Sequence, residues 1–470
     1  MKIENLIGLF NNNNNQSGGG KKINKTKISL YKMENKEYSM DTLLIPLLNA
    51  NTITIGIFIR AGSRQEIKSY GIAHFLEHMT FKGTHKITSE QLMIQLDTIG
   101  AQYNAMTGHE FTLYYISGNP DDIQLILSII IDLYINPIYP SIDIEKERNV
   151  VLEELRMNDD NNHRQLSNKI NNLIFSNTKS ELETLSRPII GYIDTIKKLN
   201  RNDIINYRKK NYISSNCLLC ISGNFNNKEV IKIVESNFNN KLSKVKLKPN
   251  LYLNNIKSSL DIKYITKINP SINKYVHIEK DINQTIINLV FNTFDTYNNN
   301  NITINLLCDI LSNGFSSRLF NLLRNKMGVS YYNNSNNISY NDIGQLIISV
   351  GVDHISVFET IKEIINELQQ VKLNGITLFE LDKAKKQNET SLLFQFKDPF
   401  EYLMHFGMNY LIKKPLINIP DILYQINSVN LTNINLLCNK IFNKNNFVIG
   451  TIGKVSPKLF DEIIKSINSI

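Results

Sequence analysis

The sequence predicts an α+β protein built from two homologous units. After its first residues, the 470-residue chain repeats one pattern, an apolar strand followed by a turn and an apolar helix. In the first half, a strand at Phe111–Ile116 precedes a helix at Ile123–Tyr134, and in the second half Gly344–Val352 precedes Val357–Leu368. Internal repetition of this kind indicates duplicated structural units, and the length favours two domains or more with an ample core.

The ends of the two halves repeat as well. The segments 217–225 and 447–455 both show a strand pattern followed by a glycine turn, and Gly453 occupies the place in the second segment that Gly223 occupies in the first. Asparagine and glycine runs near the beginning indicate a disordered low-complexity tail. The predicted divisions are a tail at 1–28, a first domain at 29–238, a linker at 239–263 and a second domain at 264–470.

The pentad from His74 to His78 carries the strongest chemical pattern in the chain. Two histidines four residues apart share one face of a helix, and Glu77 borders that face. Zinc in a hydrolytic site takes three protein ligands and a water, with a carboxylate near the water. The order HxxEH is that of inverted zinc proteases, so we predict a metallopeptidase. The alternative is a pair of histidines on an amphipathic surface helix.

A third ligand is available on the predicted helix at 144–157. Glu147 and Glu154 are seven residues apart, which places them two turns apart on one face. One carboxylate could bind the metal while the other orients a ligand. Helical periodicity does not distinguish Glu154 from its neighbour Glu153 as the ligand.

The run from His74 to Thr84 resembles the pitrilysin and insulinase family of zinc peptidases, in particular its processing-peptidase branch. In that branch a distal glutamate follows the second histidine at about the spacing that separates Glu154 from His78 here. The resemblance implies that Glu154 is the third zinc ligand and that Glu147 supports the ligands from behind. It also implies two alpha/beta roll domains, each an antiparallel-rich sheet with packed helices, which form a clamshell. The first of these domains would be the catalytic one.

The second half has no HxxEH and no glutamate that matches Glu154, so we expect one zinc ion per chain. Its segment 314–332 resembles the second-domain motif of the family. There an arginine and a tyrosine seven residues later contact substrate, which implies these roles for Arg324 and Tyr331. The alternative for Arg324 is a solvated arginine on a surface helix.

A predicted edge strand follows the helix that begins near Thr88. Thr88 and Gln91 form a capping-box pattern, and Gly100 ends the helix. The resemblance implies that the next stretch pairs with the substrate backbone, so Asn104 and Ala105 are candidates for holding the scissile peptide. Adding a peptide as an extra strand supplies main-chain hydrogen bonds with little sequence demand. The alternative for Asn104 is a turn residue.

These residues imply a mechanism. Zinc held by His74, His78 and Glu154 activates a water, and Glu77 takes its proton as the water attacks a peptide carbonyl. Tyr331 helps to stabilise the oxyanion, and Glu77 returns the proton to the leaving amine. The expected partners are a peptide or an unfolded polypeptide as substrate. The resemblance also allows a homodimer, or a heterodimer with a homologous subunit, and its alternative is a non-catalytic structural or regulatory subunit.

Composition argues against other classes of function. The net charge is +9, but the lysines are scattered along the chain, whereas a nucleic-acid footprint is clustered. The most apolar run, at 126–135, is cut by Asp132 and is too short to span a membrane. With 4 cysteines and a single CxxC, we interpret Cys217 and Cys220 as core thiols on a strand. We therefore expect a soluble intracellular protein.

Overall fold

The structure is a computed structural model of the chain. It describes residues 3–5, 26–34, 39–176, 178, 180–239, 274–456, 459 and 461–463. The predicted linker, apart from its first residue, lies outside the described residues, as does most of the predicted tail.

Twelve strands form among these residues. β-Branched and aromatic side chains favour them, and the strand predicted at 111–116 is observed at Thr112–Gly118. The strand predicted at Gly344–Val352 has those bounds. The strands are β1 (Ile3–Asn5), β2 (Ser29–Glu34), β3 (Ser39–Pro46), β4 (Ile53–Ile59), β5 (Gln102–Thr107), β6 (Thr112–Gly118), β7 (Cys217–Gly223), β8 (Tyr275–Glu279), β9 (Thr285–Thr293), β10 (Ser330–Ser339), β11 (Gly344–Val352) and β12 (Phe447–Gly453).

Fifteen α-helices form in the same part of the chain. The helices predicted from Ile123 and Val357 begin at those residues, and the second continues past its predicted end to Asn374. The helices are α1 (Ile72–Thr80), α2 (Ser89–Thr98), α3 (Ile123–Ile135), α4 (Ser141–Asp160), α5 (Asn162–Phe175), α6 (Ile193–Lys198), α7 (Arg201–Asn211), α8 (Asn227–Asn239), α9 (Asn301–Ser312), α10 (Arg318–Phe320), α11 (Val357–Asn374), α12 (Leu378–Gln395), α13 (Pro399–Leu411), α14 (Ile419–Ser428) and α15 (Leu431–Ile441). A π-helix at Asn321–Lys326 follows α10.

The first sheet has seven described strands in the order β1-β2-β3-β7-β4-β6-β5. Only β3 and β7 run parallel, and every other neighbouring pair is antiparallel. Strand β5 lies at one edge of this sheet, as predicted for the stretch after Gly100. An edge strand leaves backbone donors and acceptors available for pairing with another chain.

The second sheet has five described strands in the order β10-β11-β9-β12-β8. Its one parallel pair is β12 with β8. Taken from the parallel pair outward, β8-β12-β9-β11-β10 repeats the connectivity of β3-β7-β4-β6-β5. This repetition confirms the prediction of two homologous α/β units with antiparallel-rich sheets.

The chain divides into two compact units, and each contains a segment from the opposite half of the sequence. Helix α5 packs on the second sheet, where Gly450 of β12 leaves room for Ile170, because an added Cβ would lie 2.5 Å from its Cδ1. Helix α13 packs on the first sheet, where Gly407 makes the same close approach to Phe58. The repeat pattern did not predict this exchange. The units are Met1–Leu155, Pro188–Asn255 and Leu392–Ile422, and Arg156–Arg187, Ile256–Ser391 and Leu423–Ile470.

The cysteines of the CxxC pattern lie on opposite faces of the first sheet. Cys217 belongs to the apolar cluster that contains α1 and α3, and Cys220 belongs to the cluster that contains α13. All four cysteines are buried and outside disulfides. Residues three apart on a strand point to opposite faces, which explains why the pair cannot hold one metal ion.

The most apolar run of the sequence forms most of α3. Its residues Ile126 and Leu127 are fully buried in the cluster beneath the first sheet. Within the described ranges, we find no helix with the length and apolar character needed to cross a membrane.

Candidate metal centre

Helix α1 presents the histidines of the pentad because its other face is buried. Phe75, Leu76 and Met79 are fully buried in the core beneath the first sheet, whereas His74 and His78 are partly exposed. Residues three and four apart share a helical face, so burying one stripe fixes the direction of the other. The predicted helix and its polar face are observed.

A buried carboxylate fixes the start of α1. Gly71 begins the helix with a φ of +92°, and a Cβ there would lie 2.4 Å from the carbonyl oxygen of Ile190. Glu66 is 4% exposed and accepts hydrogen bonds from the backbone N–H of Gly71 at 2.9 Å and of Ala73 at 3.0 Å. An acceptor with negative charge stabilises these otherwise unpaired donors at a helix N-terminus.

Helix α4 supplies the carboxylates of the site. Arg148 secures this helix by donating to the carbonyl oxygens of Ile196 and Leu199 at the end of α6. The helical period of 3.6 residues places Glu147, Val151 and Glu154 along one side of α4, and Val151 is fully buried. The helix therefore directs Glu147 and Glu154 toward α1.

The structure brings His74, His78 and Glu154 together. One ligand atom from each lies within 4.8 Å of the others. The Oε2 atom of Glu154 is 3.5 Å from His74 Nε2 and 3.5 Å from His78 Nε2. In the described part of the chain, no other group of three such side chains converges in this way.

These distances fit a single zinc ion. Tetrahedral zinc binds nitrogen and oxygen ligands at about 2.1 Å, so two of its ligand atoms lie about 3.4 Å apart. The separation of 3.5 Å from Glu154 to each histidine is close to that value. Two imidazoles and one carboxylate are also the donor set of known catalytic zinc sites with an open fourth position.

Glu147 lies behind His78, on the side away from Glu154. Its Oε2 is 3.1 Å from His78 Nδ1, and its Oε1 is 2.5 Å from Lys82 Nζ. Burial would raise the pKa of Glu147, but the bonds from His78 and Lys82 outweigh it and lower the pKa. A carboxylate on the second ring nitrogen leaves Nε2 of a histidine directed at the metal.

The pKa of His78 reports the surrounding carboxylates. Burial opposes its charge, but hydrogen bonds to Glu147 and Glu154 outweigh burial and raise its pKa to about 9. A metal ligand must be a neutral imidazole, so metal binding would release a proton from this residue.

Glu77 lies beside the three candidate ligands, but none of the converging ligand atoms is its own. Its Oε2 accepts a hydrogen bond of 2.5 Å from Thr107 Oγ1, at the end of β5. Burial is the largest influence on Glu77 and raises its pKa, and Glu154 adds to the increase. A carboxylate with a raised pKa is suited to accept and return a proton near neutral pH.

The two β5 residues predicted to hold substrate face different sides of the sheet. Ala105 packs toward the cluster of α1, whereas Asn104 is exposed and lies opposite Tyr115, beside the α13 cluster. The Gly108 N–H donates to the Phe111 carbonyl oxygen, so these two residues form a hydrogen-bonded pair. Hydrogen-bonded and non-hydrogen-bonded pairs alternate along an antiparallel ladder, and Ala105, three residues before Gly108, belongs to a non-hydrogen-bonded pair. Its N–H and C=O therefore point to the open edge of the sheet. That N–H donates to Asn104 Oδ1 at 2.8 Å.

The second-unit residues implied by the resemblance are positioned separately. Arg324 is exposed in the π-helix, with its guanidinium 5.4 Å from the Phe320 ring centre. Tyr331 is part of strand β10, but its side chain lies outside the described residues. Their predicted roles toward substrate stay predictions.

His109 is not part of the converging group. Its Nδ1 lies 2.8 Å from Ser63 Oγ, and burial and Arg64 lower its pKa to about 4. Neighbouring Glu110 bonds to Arg64 at 2.7 Å. These contacts hold His109 apart from the group formed by His74, His78 and Glu154.

Sequence reasoning missed three residues that position the site: Glu66, Lys82 and Thr107. Glu66 lies outside the helix that it caps, and Thr107 is 30 residues from Glu77. Lys82 was visible one turn after His78, a spacing at which a basic side chain could reach a shared carboxylate. For Glu66 and Thr107 no local pattern gave a signal.

Comparison with protein-family models finds two matches that divide the chain. Residues 43–188 match the family described as insulinase, peptidase family M16, and residues 198–388 match the peptidase M16 inactive domain. The first range contains His74, Glu77, His78 and Glu154.

Similar proteins extend over most of the chain. An uncharacterized zinc protease of Rickettsia bellii is 30% identical, with 83% of this chain and 90% of that protein covered. The mitochondrial-processing peptidase subunit beta of Caenorhabditis elegans is 26% identical, with 86% of each chain covered. The crystal structure of a protease from Helicobacter pylori shares the fold, with a TM-score of 0.77, 20% identity, and 91% of this chain and 99% of that chain covered.

Proposed function

The chain belongs to peptidase family M16, and on this premise we propose that it is a zinc-dependent endopeptidase that hydrolyses peptides or presequences. The observation that carries the proposal is the convergence of His74, His78 and Glu154 at zinc-ligand separations, with Glu77 beside them. Proteins similar over 83% of the chain are named zinc proteases.

His74, His78 and Glu154 would hold the metal. Bound zinc lowers the pKa of a water molecule and polarises a carbonyl. Glu77 accepts the proton of the attacking water and delivers it to the leaving amine. Thr107 Oγ1 holds one carboxylate oxygen of Glu77 at 2.5 Å, which leaves the other for the proton transfer.

We propose that the substrate backbone pairs with β5. Support comes from the position of β5 at the sheet edge and from the outward direction of the Ala105 N–H and C=O. The Asn104 amide now accepts from Ala105 N–H, so a substrate carbonyl would replace it. Main-chain pairing places few demands on substrate sequence. Arg324 and Tyr331 remain candidates for contacting the substrate and the oxyanion.

A non-catalytic subunit of the same fold is the second candidate. The match of residues 198–388 to an inactive domain and the name of the Caenorhabditis elegans relative, a subunit, favour it. Such a subunit could also act only with a homologous partner. A domain without metal ligands is also expected in an enzyme with one zinc site, so the match does not count against a peptidase. The peptidase is preferred because His74, His78 and Glu154 converge.

The test is metal content and peptide cleavage by the purified chain. We expect about one zinc per chain, cleavage of a peptide library, loss of cleavage after chelation and recovery when zinc is restored. Cleavage that resists chelation would contradict the proposal. So would a zinc-loaded protein that cleaves no peptide, either by itself or together with a homologous subunit. The second result would favour the non-catalytic subunit.

A further inference from the structure

The second unit contains a cavity of about 360 Å³ between α11, β9 and the segment after α15. Six of the ten residues that line it form an apolar floor, and the other four are polar. The apolar residues are Leu289, Phe291, Ile365, Leu368, Phe442 and Phe447. A mostly apolar pocket of this size with a few polar groups is typical of a small-molecule site.

The first unit has filled the corresponding space. Its cavity between α3, β4 and the segment after α7 measures about 10 Å³, room for about one water. Tyr134 and Tyr212 line it where the repeat places Leu368 and Phe442 in the second unit. When the starts of α3 and α11 are aligned, Tyr134 matches Leu368. Tyr212 matches Phe442 because each lies five residues before the start of its strand, β7 or β12.

A difference in helix length explains why one space is filled and the other is open. Helix α3 ends at Ile135, and the chain then turns so that Tyr139, 5% exposed, enters the cavity. Helix α11 continues for more than one further turn, to Asn374, and places Lys372 at the cavity instead. The second unit thus has a lysine at the cavity where the Tyr139 ring fills the space in the first unit.

Four polar side chains line this cavity, and two of them are basic, while Gln369 and Asn443 contribute neutral amides. Lys372 and Lys444 line it, and Lys274 Nζ lies 5.7 Å from the centre of the Phe447 ring while donating to the Lys444 carbonyl at 2.6 Å. No acidic side chain is among the described residues that line it. Lysine ammonium groups beside an apolar floor complement a ligand with an anionic head and an apolar chain.

We propose that this cavity binds a small carboxylate amphiphile, with the unbranched chain on the apolar floor and the carboxylate between Lys372 and Lys444. The space of about 360 Å³ is many times larger than the volume that holds one water, and decanoate, with an unbranched apolar chain and one carboxylate, is the probe that matches its apolar floor and its lysines. This ligand site is independent of the proposed peptidase activity.

The test is calorimetric titration of the full chain with sodium decanoate below its micelle concentration. We expect saturable binding at one site, and binding of octanoate about fifteen-fold weaker, since each methylene contributes about four-fold. Decan-1-ol should bind more weakly than decanoate. In the Lys372→Ala, Lys444→Ala double variant, decanoate should lose several-fold in affinity while decan-1-ol is unchanged.

A filled cavity is the sharper test. Leu368→Phe places an aromatic ring where Tyr134 lies in the first unit, and should abolish binding of decanoate while leaving the thermal midpoint unchanged or higher. The matched control is Lys362→Ala, an exposed lysine of α11 that pairs with Glu359 away from the cavity. It should bind decanoate as the wild type does.

Three results would overturn the proposal. The first is an absence of saturable decanoate binding, and the second is unchanged binding in both the double lysine variant and Leu368→Phe. The third is saturable binding of a peptide ending in phenylalanine, with no binding of decanoate, which would assign the cavity to a peptide C-terminus. If Leu368→Phe does not fold, the double lysine variant and the chain-length series still decide.

Discussion

The two units share the strand order of five strands, yet among the residues that the structure describes only the first unit brings three metal-ligating side chains together. Ile59 of β4 lies opposite Cys217, and Phe291 of β9 lies opposite Phe447, so Ile59 and Phe291 hold matching positions on the central strands. Counted along the chain from this matched pair, α9 carries Leu306, Asp309 and Ile310 where α1 carries His74, Glu77 and His78.

The second unit uses those positions for packing. Leu306 and Ile310 are buried in its core. Asp309 accepts hydrogen bonds from Asn313 at 3.0 Å and from Asn388, and burial raises its pKa. The same fold position can therefore hold a carboxylate in a chemical site or within a polar network.

The helices α4 and α12 show the same contrast. Arg148 secures α4 by donating to the Leu199 carbonyl, and Lys385 secures α12 by donating to the Asn427 carbonyl at 3.1 Å. The residue before each is Glu147 in α4 and the buried Ala384 in α12. The anchoring contact is common to both units, whereas the carboxylate behind the histidine is not. Duplicated architecture does not require the metal centre.

The largest expected effect is from Glu154→Gln. Because this change removes one of three converging ligands, zinc affinity should fall by more than roughly 100-fold, beyond the loss expected for an outer partner, and peptide cleavage should disappear. Zinc titration and cleavage assays measure both. The neighbouring exposed Glu153→Gln is the matched control and should keep zinc and activity. The reverse pattern would transfer the ligand to Glu153.

Glu77→Gln separates the proton carrier from the ligands. The variant should bind zinc as the wild type does while kcat falls by about 10²–10⁴-fold, the usual contribution of general acid–base catalysis. Metal analysis and steady-state kinetics on the same preparation give both values. Near-normal turnover in this variant would remove Glu77 from its proposed role.

Glu147→Gln tests the carboxylate that the second unit lacks. Because Glu147 orients His78 from 3.1 Å, its loss should weaken zinc binding by about 10–100-fold. Lys82→Met, which removes only the partner of Glu147, should have a smaller effect in the same direction. Competition with a chelator of known affinity measures the change. Unaltered zinc affinity in Glu147→Gln would show that the contact does not support the metal.

Thr107→Val should change the pH dependence of cleavage. The Thr107 hydroxyl stabilises the ionised form of Glu77 and so lowers the pKa of that carboxyl. Removing the hydroxyl should raise the pKa, which moves the acidic limb of kcat/KM to higher pH and reduces activity most at low pH. Thr107→Ser keeps the donor and should retain the wild-type profile. A shift of the acidic limb to lower pH would contradict this assignment.

Asp309→Ala should have the smallest effect on activity. This residue matches Glu77 by position, but its partners are the amides of Asn313 and Asn388. Zinc content and kcat should be unchanged, while unfolding free energy falls by about 1–3 kcal/mol because the hydrogen bonds of the Asp309 carboxylate to the two amides are lost. Denaturant titration and kinetics test this. A large loss of kcat at full zinc occupancy would end the contrast between the units.

Much of the candidate site was predictable because it lies on two helices. A period of 3.6 residues relates His74 to His78 and Glu147 to Glu154 within each helix, and the resemblance selected Glu154 over Glu153. Thr107 was not predictable, because its bond to Glu77 crosses 30 residues and depends on how β5 meets α1. Glu66 was missed for the same reason.

The fold shows a similar division. The repeat of strand, turn and helix predicted two α/β units, and the observed bounds of β11 and the start of α3 agree with it. The exchange of α5 and α13 was not predicted. Gly450 and Gly407 allow close packing against side chains that are distant in sequence, and no local pattern shows which side chains those are.

The sequence by itself determined the zinc-type donor set, the doubling of the architecture and the restriction of the pentad to the first half, because these depend on residue identity and local periodicity. Only the tertiary structure decided that His74, His78 and Glu154 converge, that Thr107 holds Glu77, and that one unit fills a cavity which the other leaves open. Those outcomes depend on distances between segments remote in sequence, which are set by packing of whole helices and strands.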